Sequence, residues 1–171
     1  FRRKCEKEVT VRPLIYSNQP LAKTNRIALD HPLPHLSDLG LEGFETDLGV
    51  WFQNTNDDTD WIRHSGRTSS SDTGPSTAHE GGFYAYIRGA SNSNKTAILT
   101  SSCFDIASLS NPALNFKYHM YGASTGSLEV EISTDGLSWV SVWSKSGDQG
   151  DDWKEASINL SSYAADSPLL R

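Results

Sequence analysis

Long apolar runs are missing from this chain. No stretch approaches the roughly 20 consecutive apolar residues that cross a bilayer, and the opening FRRKCEKEV holds no apolar segment of the kind a secretion signal uses. Membrane insertion by these residues is not expected. Cysteine is scarce: Cys5 and Cys103 are the two in 171 residues, and they match no zinc-ligand spacing. They could form one disulfide or remain separate thiols, so they define the compartment only weakly. Basic residues are scarce outside the first segment. Residues 1–26 carry seven Lys/Arg against two Glu (+5), whereas residues 27–171 carry eight against nineteen Asp/Glu (−11). Such a body repels polyanions, so nucleic acid is not an expected partner, and it suits divalent cations better. Helical periodicity is also lacking, because after Leu41 no 3.6-residue pattern persists for three turns.

Aromatic residues make up 10% of the chain, with five tryptophans, and the mean hydropathy is −0.49. These values describe a globular domain whose core depends on a few large rings. The length suits one domain plus a flank. Residues 1–40, with Pro20, Pro32 and Pro34 and little alternation, read as a linker or the tail of a preceding module. Residues 41–171 read as the domain, built of short alternating segments between Gly, Ser, Asn and Asp.

Period-two alternation marks the strands. One run is FYAYIR, Phe83 to Arg88. In ALNFKYHM, Leu114, Phe116, Tyr118 and Met120 share one face, and Asn115, Lys117 and His119 share the other. SLEVEIS sets Leu128, Val130 and Ile132 against Glu129 and Glu131, and Asp135-Gly136 then turns the chain into WVSVW, a hairpin whose loop can exceed two residues. A further strand over Trp153–Leu160 points Ile158 and Leu160 inward, and Leu169-Leu170-Arg171 looks like the start of another. Short strands with polar turns predict an all-β sandwich. Closing it takes more strands than can be counted, so the domain is expected to continue past Arg171.

Several motifs suggest chemistry. GASTG, Gly122 to Gly126, matches the G-x-S-x-G nucleophile pattern, but that pattern needs a helix after its second glycine, and a strand is expected there. Ser124 therefore reads as a loop residue. His31 and His35 have the i, i+4 spacing of a helical zinc pair, which Pro32 and Pro34 forbid. His119, opposite the aromatic face of its strand, is expected at solvent or a partner surface. NTNDDTDW is the more informative stretch. Asp57, Asp58 and Asp60 crowd three carboxylates into four residues, which costs repulsion unless water screens them or a cation binds. The alternatives are a solvated acidic turn and a Ca²⁺ site completed by a distant residue such as Glu45. Asn94-Lys95-Thr96 and Asn159-Leu160-Ser161 fit the N-glycosylation pattern, which matters if the chain enters a eukaryotic secretory pathway.

The order of these segments resembles the MAM domain, an extracellular adhesion module named after meprin, a neural receptor-like protein and a receptor tyrosine phosphatase. The likeness covers about residues 43–170, through Phe44-Glu45, Trp51, Asp60-Trp61, Thr73-Gly74-Pro75, Gly82, Tyr84, the run Phe116 to Gly122, Gly126, Trp143, Gly147, Gly150 and Trp153. The resemblance implies a jelly-roll sandwich of two antiparallel sheets that is noncatalytic, secreted or displayed on a cell surface, and engaged in protein contact or self-association. It also implies a calcium or sodium ion near Glu45 and the Asp57–Asp60 loop, which makes Glu45, Asp57, Asp58 and Asp60 the expected metal residues.

There are departures from the family pattern. Glu42 and Gly49 stand where many animal members have paired cysteines, Ala113 replaces another cysteine, and Ala78-His79-Glu80 replaces Asp-His-Thr. Cys103 thus falls outside the family scheme. The cysteine-poor pattern looks more like copies attached to secreted bacterial proteins. The family's final strands are expected after Arg171, and RIALDHP, Arg26 to Pro32, echoes them as the tail of a preceding copy. The rival expectation is a carbohydrate-binding accessory domain of a secreted enzyme, such as a metallopeptidase or glycosidase, that uses exposed aromatics to stack on sugar rings.

Overall fold

A computed structural model describes residues 43–88, 94–165 and 168–171. The expected linker over 1–40, with Cys5, His31 and His35, lies outside the described residues. The strands are β1 (Trp51–Gln53), β2 (Ile62–Ser65), β3 (Phe83–Tyr86), β4 (Leu99–Ser101), β5 (Ala113–Tyr118), β6 (Ser127–Ser133), β7 (Val140–Ser146), β8 (Lys154–Asn159) and β9 (Leu169–Leu170), with one 3-10 turn at Ser161–Tyr163. All pairings are antiparallel: β1 with β4, β2 with β3, β5 with β8, and β6 between β7 and β9. The all-β sandwich expected from the alternation is what forms.

Alternation explains the core. Ile158 and Leu160 of the β8 segment and Ile132 and Leu170 of the β6–β9 pair form one buried cluster with Ile106, and Leu114, Phe116, Val130 and Trp143 pack against it. Ile132 and Leu170 are each 1% exposed. Burying such side chains stabilises by about 1.5–3 kcal/mol apiece before the entropy of ordering is subtracted. The register Val130↔Trp143 followed by Glu131↔Ser141 leaves Val142 as the extra residue of a β-bulge. Val142 and its neighbour Trp143 both pack on the core as a result. Phe116, Tyr118 and Trp143 meet edge to face at centroid distances of 5.0 and 5.1 Å from the indole, the arrangement that ring quadrupoles favour.

The β6–β7 connection runs from Thr134 to Trp139, longer than a two-residue turn. Asp135 organises it. Its Oδ1 accepts from Leu137 N at 2.8 Å and Ser138 N at 2.7 Å. The amides of Ser138 and then Leu137 hold its carboxyl down at about 2.

One expectation is corrected. His119 lies just past the end of β5, so strict alternation no longer governs it, and the loop before β8 folds over its ring. Its side chain is 3% exposed, with Nε2 3.3 Å from Asp151 Oδ1 and the Trp153 ring centroid 5.5 Å away. It is therefore not a solvent-facing residue. Cys103 is disulfide-bonded, and no described cysteine is free.

Candidate functional site

The acidic loop between β1 and β2 is shaped by its own backbone needs. Gln53 ties its two ends, donating through Nε2 to Trp61 O at 2.7 Å and accepting from Trp61 N at 3.1 Å. Inside the loop, Asp57 Oδ2 accepts from Ile98 N at 2.6 Å and Asp58 Oδ2 from Thr96 N at 2.8 Å. The main chain adds Asp58 N to Thr96 O at 2.9 Å and Asn54 N to Ile98 O at 3.0 Å. The loop thus extends the β1–β4 pairing with carboxylates standing in for peptide carbonyls. Such charge-assisted bonds are stronger than neutral ones and satisfy amides that would otherwise be left unpaired.

Glu45 does comparable work elsewhere. Its Oε1 accepts from Gly82 N at 3.0 Å and Phe83 N at 3.1 Å, where the chain enters β3. Gly81 is required there: its φ is +62°, and a Cβ would fall inside the Glu45 carboxylate. Arg63 of β2 completes the brace. It donates through Nε to Phe44 O and through Nη2 to Glu45 O, and its guanidinium lies 3.4 Å from the Phe83 ring centroid, a cation–π contact. Arg63 had no distinguishing mark in the sequence, because a lone arginine on an alternating strand looks like an ordinary exposed residue.

Asp57, Asp58 and Asp60 line one shallow depression together with Asn54 and Ile62. Glu45 is not part of its lining. No three Asp, Glu, His or Cys side chains among the described residues come close enough to hold a metal ion. The residues as they stand do not fit a shared cation, and Ca²⁺ binding would require the loop to close around the ion.

A second cluster gathers the three described histidines around Trp153 and Tyr84. The Trp153 ring lies 5.5 Å from His119, 6.2 Å from His79 and 6.0 Å from Tyr84, and Tyr84 lies 5.7 Å from His64. Trp153 Nε1 donates to Thr77 O at 3.0 Å, and Thr73 Oγ1 donates to Tyr121 O at 2.9 Å. These bonds fasten the long 66–82 connection onto the sandwich. Burial, and secondarily Tyr86, raises the Tyr84 phenol above its usual value; its hydroxyl donates to Gly66 O at 2.8 Å.

Ser124 sits in the turn between Gly122 and Gly126, and β6 follows immediately. No helix is present to form the strained elbow that activates such a serine. Phe116 and Tyr118 of the preceding strand are core members, which makes that face of the stretch scaffold.

Residues 43–169 match the MAM domain family, meprin/A5/mu. The chain belongs to that family. This MAM domain is 31% identical over 174 residues to the human MAM domain-containing glycosylphosphatidylinositol anchor protein 2, a match covering 90% of this chain and 18% of that protein. It is 32% identical over 123 residues to human MAM domain-containing protein 2, covering 69% of this chain and 18% of that one. It is also 32% identical over 108 residues to thyroid hormone-induced protein B of Xenopus laevis, covering 60% and 15%. The chain therefore spans less than a fifth of the length of each of these relatives.

Proposed function

We propose that this MAM domain is a noncatalytic module of an extracellular protein, secreted or held at a cell surface, that contacts another protein through exposed sheet and loop residues. The observation that carries the proposal is family membership over 43–169. The glycosylphosphatidylinositol anchor in the names of relatives supports the location, as does the disulfide at Cys103, since such bonds persist in oxidising compartments.

The carbohydrate-binding alternative needs an open platform of several aromatics; Phe52 is 44% exposed, but the tryptophans are otherwise engaged. Trp51 and Trp143 pack on the core, Trp61 and Trp153 donate to backbone carbonyls, and Trp139 lies under the Arg171 guanidinium. Protein contact is the better reading. To test it, the labelled chain is applied to intact cells pretreated with protease or with glycosidases. Loss of binding after protease alone supports a protein partner; loss after glycosidases alone supports the carbohydrate reading; no binding to any cell type would sink the adhesion role.

A second reading adds a structural Ca²⁺ at the Asp57–Asp60 loop. It requires the loop to draw in around the ion, because no three carboxylates among the described residues stand close enough as they are; what favours it is that Asp57, Asp58 and Asp60 line one depression, in which Asp57 and Asp58 are each seen to engage an amide through one oxygen, Oδ2. A ligand that binds the folded state at 100 times its Kd adds about 2.7 kcal/mol. A Tm that rises in Ca²⁺ over EDTA, with the rise abolished in Asp60→Asn, supports this reading. An unchanged Tm leaves a metal-independent module.

A further inference from the structure

Two sequons occur in this chain, and they differ in how far their backbone is tied into the fold. Asn94, Lys95 and Thr96 are all exposed, and Asn94 adopts the left-handed conformation with φ +60°. Only the main chain of Thr96 is seen to be engaged, through Asp58 N to Thr96 O at 2.9 Å and Thr96 N to Asp58 Oδ2 at 2.8 Å. The acceptor tripeptide is thus held by its last residue while the asparagine projects into solvent. Asn159 and Ser161 are exposed as well, but the backbone of Asn159-Leu160-Ser161 is built into the sheet and the turn that follows it. Asn159 pairs with Ala113 in the β5–β8 ladder, Leu160 is 4% exposed within the core, and its N–H donates to Pro112 O at 2.8 Å. Ser161 N donates to Asn159 Oδ1 at 2.8 Å.

We propose that Asn94 is the N-glycan acceptor of this domain, and that Asn159 is modified less, because strand pairing and the buried Leu160 fix the backbone of its tripeptide. The inference rests on the extracellular reading given above and on passage through a eukaryotic secretory pathway, which the vertebrate relatives support. In the reaction, Asn94 Nδ2 forms a bond to the anomeric carbon of an oligosaccharide carried on a polyprenyl pyrophosphate. The pyrophosphate leaves with the bonding pair, and Nδ2 gives up one proton to a carboxylate of the transferase. The Thr96 hydroxyl supplies the second recognition element of the acceptor pattern. Asn94 lies two residues from Thr96, which pairs with Asp58, so a glycan there would stand near the acidic loop and direct protein partners to other surfaces.

The full chain, preceded by a cleavable secretion signal, is expressed in an animal cell line, and its mass is compared before and after peptide-N-glycosidase in both medium and lysate. The expected result is a digestible glycan that is absent in Asn94→Gln and in Thr96→Ala, retained in Thr96→Ser, and retained in Asn159→Gln. Thr96→Ala leaves Asn94 and the backbone bonds to Asp58 in place, so loss in that variant reports the acceptor pattern rather than misfolding. Chain with no digestible glycan in either fraction, or with a glycan unchanged by Asn94→Gln, overturns the proposal. Glycosylated chain kept inside the cell counts against the extracellular reading alone, whereas chain that reaches the medium unmodified at Asn94 overturns this inference alone.

Discussion

The β5–β8 and β6–β9 layers and the β2–β3 pair are held by different forces. In the first, Ile132, Ile158, Leu160 and Leu170 bury aliphatic surface in one cluster, and stability grows with area removed from water. In the second, the Glu45 carboxylate, the Arg63 guanidinium and the Phe83 ring form a brace of directional contacts with little aliphatic burial; Ile62 of β2 is 42% exposed. Area-driven packing is spread over many residues and degrades gradually. A directional brace depends on single groups and opens locally when one is lost.

The largest effect is expected in the first region. Ile132→Ala removes a side chain that is 1% exposed and should cost about 2–5 kcal/mol of global stability by denaturant unfolding. Arg63→Ala should cost about 1–2 kcal/mol, but its signature is local. Hydrogen exchange at Gly82 and Phe83, whose amides Glu45 receives, should accelerate far more than exchange in β6. If both regions loosen equally, the contrast between them is wrong. Trp153→Phe keeps the ring while deleting the bond to Thr77 O; a loss of about 1 kcal/mol is expected, with faster exchange confined to the 66–82 connection.

The smallest effect is electrostatic. Asp135 has its carboxyl lowered from 3.8 to about 2 in the folded chain. A depressed folded value means its contribution is complete above the unfolded pKa and disappears as pH falls through the folded one. The β6–β7 turn should therefore weaken between about pH 4 and pH 2, and Asp135→Asn should flatten that part of the stability profile. Tyr84 titrates in the opposite direction. Its phenol is raised, so its contribution is complete below pH 10 and lost as pH rises through the folded value.

Legibility in the sequence followed the range of the interactions. The inward faces of β5, β6 and β8 could be read because a strand's period of two is set by its own backbone. The buried positions of Tyr118, Ile132 and Ile158 agree with that period. His119 broke the pattern because strand β5 stops at Tyr118, and what covers the next residue comes from Asp151 and Trp153, more than thirty positions away. The acidic loop could be recognised as unusual from its composition. Its pairing with residues 96–98 could not, since those amides are neighbours only after β1 and β4 meet.

The sequence by itself determined the all-β class, the inward aromatics of the Asn115–Gly126 stretch, the MAM-like order of anchors and the concentration of carboxylates at 57–60. Each of these follows from local backbone periodicity or from residue order along one segment. Only the tertiary structure decided what the carboxylates do, that Arg63 braces Phe44 and Glu45, that the His119 side chain is covered, and that the Asn159 backbone is paired in a ladder while Asn94 lies in a loop. Hydrogen-bond donors, ring partners and solvent reach a side chain through space, and proximity in space is set when the sheets pack.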